Sequence, residues 1–289
     1  MPLWLLYALA AAFFAGITAI LAKIGIRHTP SHLATALRTA VVLVFAWLVV
    51  FLVGSQDQIT RLDERTIIFL VASGLATGVS WLTYFRALQL ADVNLVTPID
   101  KSSVILTVTF AIVLLNETDS LAFRLLGITL IGVGTYLMIE RGRARGADGR
   151  WGSWVMYAAI SAVAAALTSI LGSVGIQGVE SNLGVAIRTT VVLVMAWIVV
   201  FASGEHRELP AIPRRDVLFL VLSGIATGSS WLFFYAALQD GPVSVVVPVD
   251  KLSILVTIAF ATFVLKEKLS RRALLGLILI VAGTLVMLF

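Results

Sequence analysis

Apolar residues come in runs of about twenty, separated by short polar connections, and runs of that length predict membrane-crossing helices. Ten spans can be marked: Leu3–Ile26, Leu33–Val53, Thr66–Leu90, Val93–Leu115 and Leu121–Ile139, then Ser153–Ile176, Leu183–Ser203, Asp216–Gln239, Val243–Leu265 and Arg272–Phe289. Connections such as Ala91-Asp92 and Asp240-Gly241-Pro242 are so short that neighbouring helices must run antiparallel. The longest connection, Glu140–Gly152 (ERGRARGADGRWG), is polar, rich in Gly and Arg, and without an apolar period. The opening run from Leu3 to Ala22 is too long for a secretory signal and no cleavage site follows it, so it is read as a span.

The pattern is written twice, 150 residues apart. Ser73–Leu82 (SGLATGVSWL) returns as Ser223–Leu232 (SGIATGSSWL), and Thr39–Trp47 (TAVVLVFAW) as Thr189–Trp197 (TTVVLVMAW). Pro98-Ile99-Asp100-Lys101 returns as Pro248-Val249-Asp250-Lys251, Arg38 as Arg188, and Glu117 as Glu267. Near the end the register slips by one, matching Gly127 to Gly276 and Gly134-Thr135 to Gly283-Thr284. The expected organisation is a first repeat over 1–140, a basic linker over 141–152 and a second repeat over 153–289. Five spans per repeat is an odd number, so the second copy must enter the membrane inverted. The expected fold is an all-α integral membrane bundle of ten transmembrane helices in two inverted five-helix repeats, a plan that places a site between repeats at mid-membrane.

Composition supports the bilayer as solvent: the chain is 60% hydrophobic and 13% charged, with a mean hydropathy of +1.02. The absence of Cys excludes a disulfide frame, a thiolate metal site and a thiol nucleophile. The basic pI of 9.8 is a topology signal rather than a nucleic-acid footprint, because the cations sit in short loops. Loops after odd-numbered spans carry thirteen (Lys23, Arg27, Arg141, Arg143, Arg145, Arg150, Arg207, Arg214, Arg215, Lys266, Lys268, Arg271 and Arg272), against three (Arg61, Arg65 and Arg124) on the other side. Odd loops are therefore expected in the cytoplasm and both termini outside.

Several of these pieces resemble the drug/metabolite transporter superfamily in its EamA-domain branch. They are the Trp-rich third span ending Tyr84-Phe85-Arg86-Ala87-Leu88-Gln89 or Phe234-Tyr235-Ala236-Ala237-Leu238-Gln239, and the Pro-hydrophobic-Asp-Lys start of the fourth. The Glu closing the fourth span, at Glu117 and Glu267, and the Leu-Leu-Gly opening the fifth complete each copy. Each half is similar to the five-span bacterial/archaeal transporter proteins, and the chain to two such halves fused. The resemblance implies a ten-helix bundle of inverted repeats around a central cavity and is almost silent about substrate. Members are often drawn with cytoplasmic termini, from which this chain's charge pattern departs.

Five cations lie inside the spans, Arg38, Arg86, Lys101, Arg188 and Lys251, and Asp100 and Asp250 are the deepest acids. Each needs a partner, a wet cavity or a role, since an intramembrane charge costs at least about 2.5–3.5 kcal/mol. Arg38 and Asp100 lie at similar depths from the same side, which predicts a structural Arg38–Asp100 ion pair and, by repetition, Arg188–Asp250. Lys101 points about 100° from Asp100 around the helix, so either the Asp holds scaffold and the Lys faces the cavity, or the reverse. Lys101, Lys251 and Arg86 are candidate substrate-binding cations, favouring an anionic or zwitterionic solute. Pro98 and Pro248 are candidate hinges.

The third span offers a stripe of Ser73, Thr77, Ser80 and Tyr84, repeated as Ser223, Thr227 and Ser230, which either lines substrate or bonds to its own backbone. Trp81, Trp231, Tyr84 and Tyr235 are candidate cavity aromatics, and Trp4, Trp151 and Trp154 interface anchors. Gly74/Gly78 and Gly224/Gly228 have the spacing that lets membrane helices approach closely. His28 and His32 flank Pro30 with no carboxylate nearby in sequence, so no metal is expected there. Glu117 and Glu267 are read as helix caps or loop ion pairs rather than proton carriers. The first span has no carboxylate, so the proton coupling of small four-span relatives does not transfer.

No nucleotide-hydrolysis motif and no cofactor-binding pattern is present. These features favour a secondary active transporter working by alternating access, an exporter of a small polar, anionic or zwitterionic metabolite. It would act as a monomer in a prokaryotic plasma membrane, with a small-molecule substrate, the lipid bilayer and no nucleic acid as its partners. The alternatives are a flippase for a lipid-linked polar head group and, more remotely, an intramembrane enzyme or a structural membrane protein. The Lys101 end of the cavity, with Arg86 and Tyr84 beside it, is expected to be more basic than the Lys251 end.

Overall fold

The computed structural model describes residues 2–138 and 153–288; linker cations Arg141, Arg143, Arg145 and Arg150, and Trp151, lie outside the described residues. The described residues form α-helices and two short 3₁₀ segments, with no strand. In chain order the helices are α1 Leu3–Gly25, α2 Ser31–Val53, α3 Glu64–Leu90, α4 Val93–Lys101, α5 Ser103–Leu114 and α6 Leu121–Met138. The second half follows with α7 Ser153–Gly175, α8 Ser181–Ser203, α9 Arg214–Asp240, α10 Val243–Lys251, α11 Ser253–Phe263 and α12 Arg271–Val286. Helices dominate because each satisfies its own backbone hydrogen bonds, which hydrocarbon requires.

Among the described residues nine segments are long and apolar enough to cross a membrane, with α4–α5 and α10–α11 each counted as one. The expected tenth span is the 16-residue helix α12, about 24 Å at 1.5 Å per residue, short of the ~30 Å hydrocarbon core. The bundle is packed for lipid. Its interior is rich in Ala, Gly, Ser and Thr, whereas Phe51, Leu52 and Phe263 are 64%, 77% and 83% exposed. Small residues inside let the backbones approach, and large apolar residues outside meet acyl chains.

Packing runs across the two halves: α1 lies on α9, α3 on α7, α2 on α8 and α6 on α12. A Cβ on Gly134 would sit 2.5 Å from the Gly276 carbonyl oxygen, and one on Gly127 would sit 2.7 Å from that of Gly283. The later glycine of one helix thus meets the earlier of the other, so α6 and α12 are antiparallel. The expected close approaches at the third spans are also present. Cβ atoms on Gly74 and Gly224 would lie 2.8 Å from the carbonyl oxygens of Arg188 and Arg38.

The same reciprocity governs the ends. Glu267 accepts from the amides of Val93 (3.1 Å) and Asn94 (2.9 Å) at the start of α4. Glu117 accepts from Val243 (3.1 Å) and Ser244 (2.9 Å) at the start of α10. Both glutamates are caps, as the sequence suggested, and each caps the other half. Between α4 and α5 the break falls at Ser102, four residues beyond the expected hinge at Pro98. The helix absorbs the proline, and the distortion emerges where the Ser102 amide is shared between the carbonyls of Pro98 (3.0 Å) and Ile99 (3.2 Å). Leu252 breaks α10 from α11 at the equivalent position beyond Pro248, its amide bonding the Val249 carbonyl at 3.0 Å. Asp100-Lys101 and Asp250-Lys251 thereby stand at the ends of two short helices that meet the bundle centre.

Candidate functional site

Between the halves lies a cavity of about 130 Å³. The ends of α4 and α10 bring Asp100, Lys101, Asp250 and Lys251 to its wall. Helix α3 supplies Thr77, Ser80, Trp81, Tyr84 and Phe85, and α9 supplies Thr227, Ser230, Trp231 and Phe234. Thr18 of α1, Arg38 of α2, and Thr168 and Ser169 of α7 close it. Of the residues proposed from sequence as substrate-binding, Lys101, Lys251, Thr77, Trp81, Tyr84, Thr227 and Trp231 come together here. Both members of each Asp-Lys pair reach the wall, so the choice between them does not arise. Asp100 accepts a 2.8 Å bond from Ser161 Oγ, and Asp250 lies 3.7 Å from Lys251 Nζ. The Trp81 and Trp231 rings touch across the halves, with centroids 6.0 Å apart.

Three proposed residues stand elsewhere. Arg86 bonds Gln89 Oε1 at 2.6 Å near the end of α3, and Gln89 reaches back to the Thr29 carbonyl. Ser73 donates to the Thr168 carbonyl at 2.9 Å. Tyr235 is fully buried, its hydroxyl 3.4 Å from Ser73 Oγ.

The expected ion pairs are absent among the described residues. Arg38 bonds Ser223 Oγ at 3.4 Å and Thr227 Oγ1, and its guanidinium lies 5.0 Å from the Trp81 ring and 4.3 Å from that of Phe85. Arg188 bonds Thr77 Oγ1 and lies over Trp231 (4.0 Å) and Tyr235 (4.7 Å). The physical reason is adjacency: α2 packs on α3, α8 and α9, and α8 on α2, α3 and α9. Equal depth does not make α2 and α4 neighbours, and the guanidinium finds aromatic faces and hydroxyls instead. The stripe threonines show the backbone bonding expected of them, and a contact that was not expected. Thr77 and Thr227 bond back to the carbonyls of Ser73 and Ser223 at 2.7 Å, and each accepts from the opposite half's arginine.

His28 has the carboxylate neighbour its local sequence lacks. Asp216, buried at the start of α9, accepts from the His28 amide at 3.1 Å and lies 3.5 Å from its ring Nδ1. Sequence reasoning also passed over Thr18 and Thr168, which occupy equivalent positions in the two repeats. That equivalence was the available signal.

The EamA-like transporter family is matched twice along the chain, over residues 2–140 and 152–289. An "uncharacterized transporter in cobO 3′ region" from a Sinorhizobium species is 42% identical over 135 residues, which is 47% of this chain and 95% of that one. That relative is a single repeat long. The uncharacterized protein MJ1333.1 of Methanocaldococcus jannaschii is 25% identical over 100 residues, 32% of this chain and 73% of its own. A crystal structure described only as that of a protein superposes with a TM-score of 0.71 at 18% identity, covering 98% of this chain and 96% of the other, a likeness of fold. With nine apolar segments of spanning length among the described residues and both halves matched, the chain is a multi-pass integral membrane protein and belongs to the EamA-like transporter family.

Proposed function

We propose that the chain is a secondary active transporter that carries a small polar, anionic or zwitterionic solute through the central cavity by alternating access. The observation that carries this reading is the meeting of Asp100-Lys101 and Asp250-Lys251, one pair from each half, at two helix breaks on one cavity wall. Charges at that depth are tolerated where they meet water or a ligand. Breaks placed beside them allow either half to pivot about the site, with Pro98 and Pro248 one turn away.

Ten spans in two inverted halves are part of the proposal, with α12 counted as the tenth. The antiparallel contact between α6 and α12, the fifth helices of the two halves, supports inversion. So do contacts at the helix ends. The Leu33 amide, at the start of α2, donates to Glu205, after α8; the Glu180 amide, just before α8, donates to Gln58, after α2. The loop charges favour odd loops in the cytoplasm of a prokaryotic cell and both termini outside. Function as a monomer is part of the same proposal.

The test is solute flux into proteoliposomes under an imposed ion gradient. Saturable uptake of an organic acid or zwitterion that falls in Lys101→Gln and Lys251→Gln is the expected result. Leak-level flux of every acid, zwitterion and neutral polar solute tried, with folded protein, would overturn it.

A further inference from the structure

We propose that the two halves have divided the work of their equivalent arginines: Arg38 is the anchor for an oxyanion group on the solute, and Arg188 is sealed into the scaffold. The inference rests on reading the cavity as the solute site and adds to it a ligand chemistry and a polarity. Arg38 is in the cavity wall and 1% exposed, and its Nη1 has no hydrogen-bond partner. A buried guanidinium nitrogen without an acceptor is costly, and no carboxylate pairs with this arginine among the described residues. The titratable groups that share the cavity wall with it are Lys101, Lys251, Asp100, Asp250 and Tyr84. With Lys and Arg charged and both aspartates ionised, three cations face two anions. The wall is one negative charge short.

Comparison of the repeats explains why only one arginine is open. Tyr84-Phe85 in the first half stands where the second has Phe234-Tyr235, so the phenol has moved by one position. At the second site, Tyr235 lies over Arg188 and turns its hydroxyl to Ser73 Oγ at 3.4 Å. The equivalent serine of the other half, Ser223, receives the Arg38 Nε instead, and Arg188 Nε is left without a partner. The Tyr235 ring has room because Gly172 lies beneath it, where an added Cβ would come within 3.0 Å of Cζ. The position equivalent to Gly172 is Ala22, which shares its buried cluster with Phe85. The second half thus combines Gly172 with Tyr235 and keeps Arg188 out of the cavity wall. The first combines Ala22 with Phe85, leaves Arg38 in the wall and sets the Tyr84 ring there as well.

Carboxylate and phosphate groups share the chemistry that satisfies a guanidinium, and the experiment separates them. Purified protein is titrated with propionate, with inorganic phosphate and with propylammonium as the matched cation, and thermal stability is followed, since a ligand raises it only by binding the folded state. At least one anion should stabilise and propylammonium should not; the anion that acts names the group. Arg38→Gln should weaken that anion roughly tenfold or more, the scale of one charge-assisted hydrogen bond. Arg188→Lys should leave the affinity unchanged. A second variant transplants the sealed arrangement, Ala22→Gly with Tyr84→Phe and Phe85→Tyr. It keeps Arg38 and should lose the anion to the same degree, which decides the matter should Arg38→Gln fail to fold. Anion affinity retained in the folded variants, or no anion binding at all, would overturn the proposal. Flux of a neutral or cationic solute without anion binding would sink the anchor and leave transport standing. Anion binding without flux would do the reverse.

Discussion

At Glu267 a single carboxylate faces two backbone amides at the start of α4, where the helix dipole favours negative charge. Burial nevertheless outweighs those bonds and raises its pKa above the usual 4.5. A carboxyl with a raised folded-state pKa contributes most when protonated, and its contribution falls as pH climbs above about 4.5. The melting-temperature difference between wild type and Glu267→Gln should therefore be most favourable to wild type at the acidic end and shrink toward neutrality; a difference that grows with pH would contradict this. A second residue-scale test concerns Gly172. Gly172→Ala should destabilise by about 1–3 kcal/mol through overpacking against Tyr235, and adding Tyr235→Phe should recover part of the loss, because the other half already joins Ala22 to Phe85. Denaturation of the single and double variants in detergent decides it, and additive losses would refute the coupling. Single residues were only partly legible in the sequence. Lys101, Trp81 and Thr227 could be placed because repetition marked them. Arg38 could not be paired correctly, because depth along a helix says nothing about which helix lies alongside.

The elements were far more legible. An apolar run bounded by Pro, Gly or charge permits no other structure in lipid, and the ends of α3 and α9 follow from the short connections. The break at Ser102 was less so. A proline announces a lost hydrogen bond, but where the helix yields depends on the carbonyls downstream, and here it yields one turn later. The glycine seam between α6 and α12 shows another limit. Repeat equivalence matched Gly127 to Gly276, whereas in space Gly127 meets Gly283, because a two-fold relation brings each residue to the partner of a different one. Gly134→Val should cost about 1–3 kcal/mol, since its Cβ has the Gly276 carbonyl in its path at 2.5 Å and backbone cannot step aside. Gly132→Val, whose nearest neighbour is a side-chain methyl of Ile105 at 3.5 Å, should be nearly neutral. Equal losses at the two positions would mean that the seam does not hold the helices together.

On the scale of the whole molecule, the halves are interleaved rather than juxtaposed. The partner of α1 is α9, that of α3 is α7, and the glutamate that starts α4 comes from the far end of the chain. Neither half therefore encloses a core of its own: the first exposes, when alone, the small-residue faces of α1, α3 and α6, and the second those of α9, α7 and α12 that pack against them. The Sinorhizobium relative, matched over 95% of its length by about half of this chain, is a single repeat long. A chain cut within residues 141–152 and expressed as two fragments should reassemble. Tagged 1–140 should carry untagged 153–289 through purification in detergent, and the pair should unfold in one transition. Expressed singly, either fragment should be degraded or recovered as a dimer of itself, because a second copy is the only other surface able to cover those faces. The dimer of the first half should carry two open Arg38 sites, and that of the second two sealed Arg188 sites, so anion-dependent stabilisation should appear in the first and be missing from the second. A first fragment that purifies alone as a stable monomer would show that the cross-half contacts are decoration on two independent bundles. The cavity between the halves would then lose its claim to be the site.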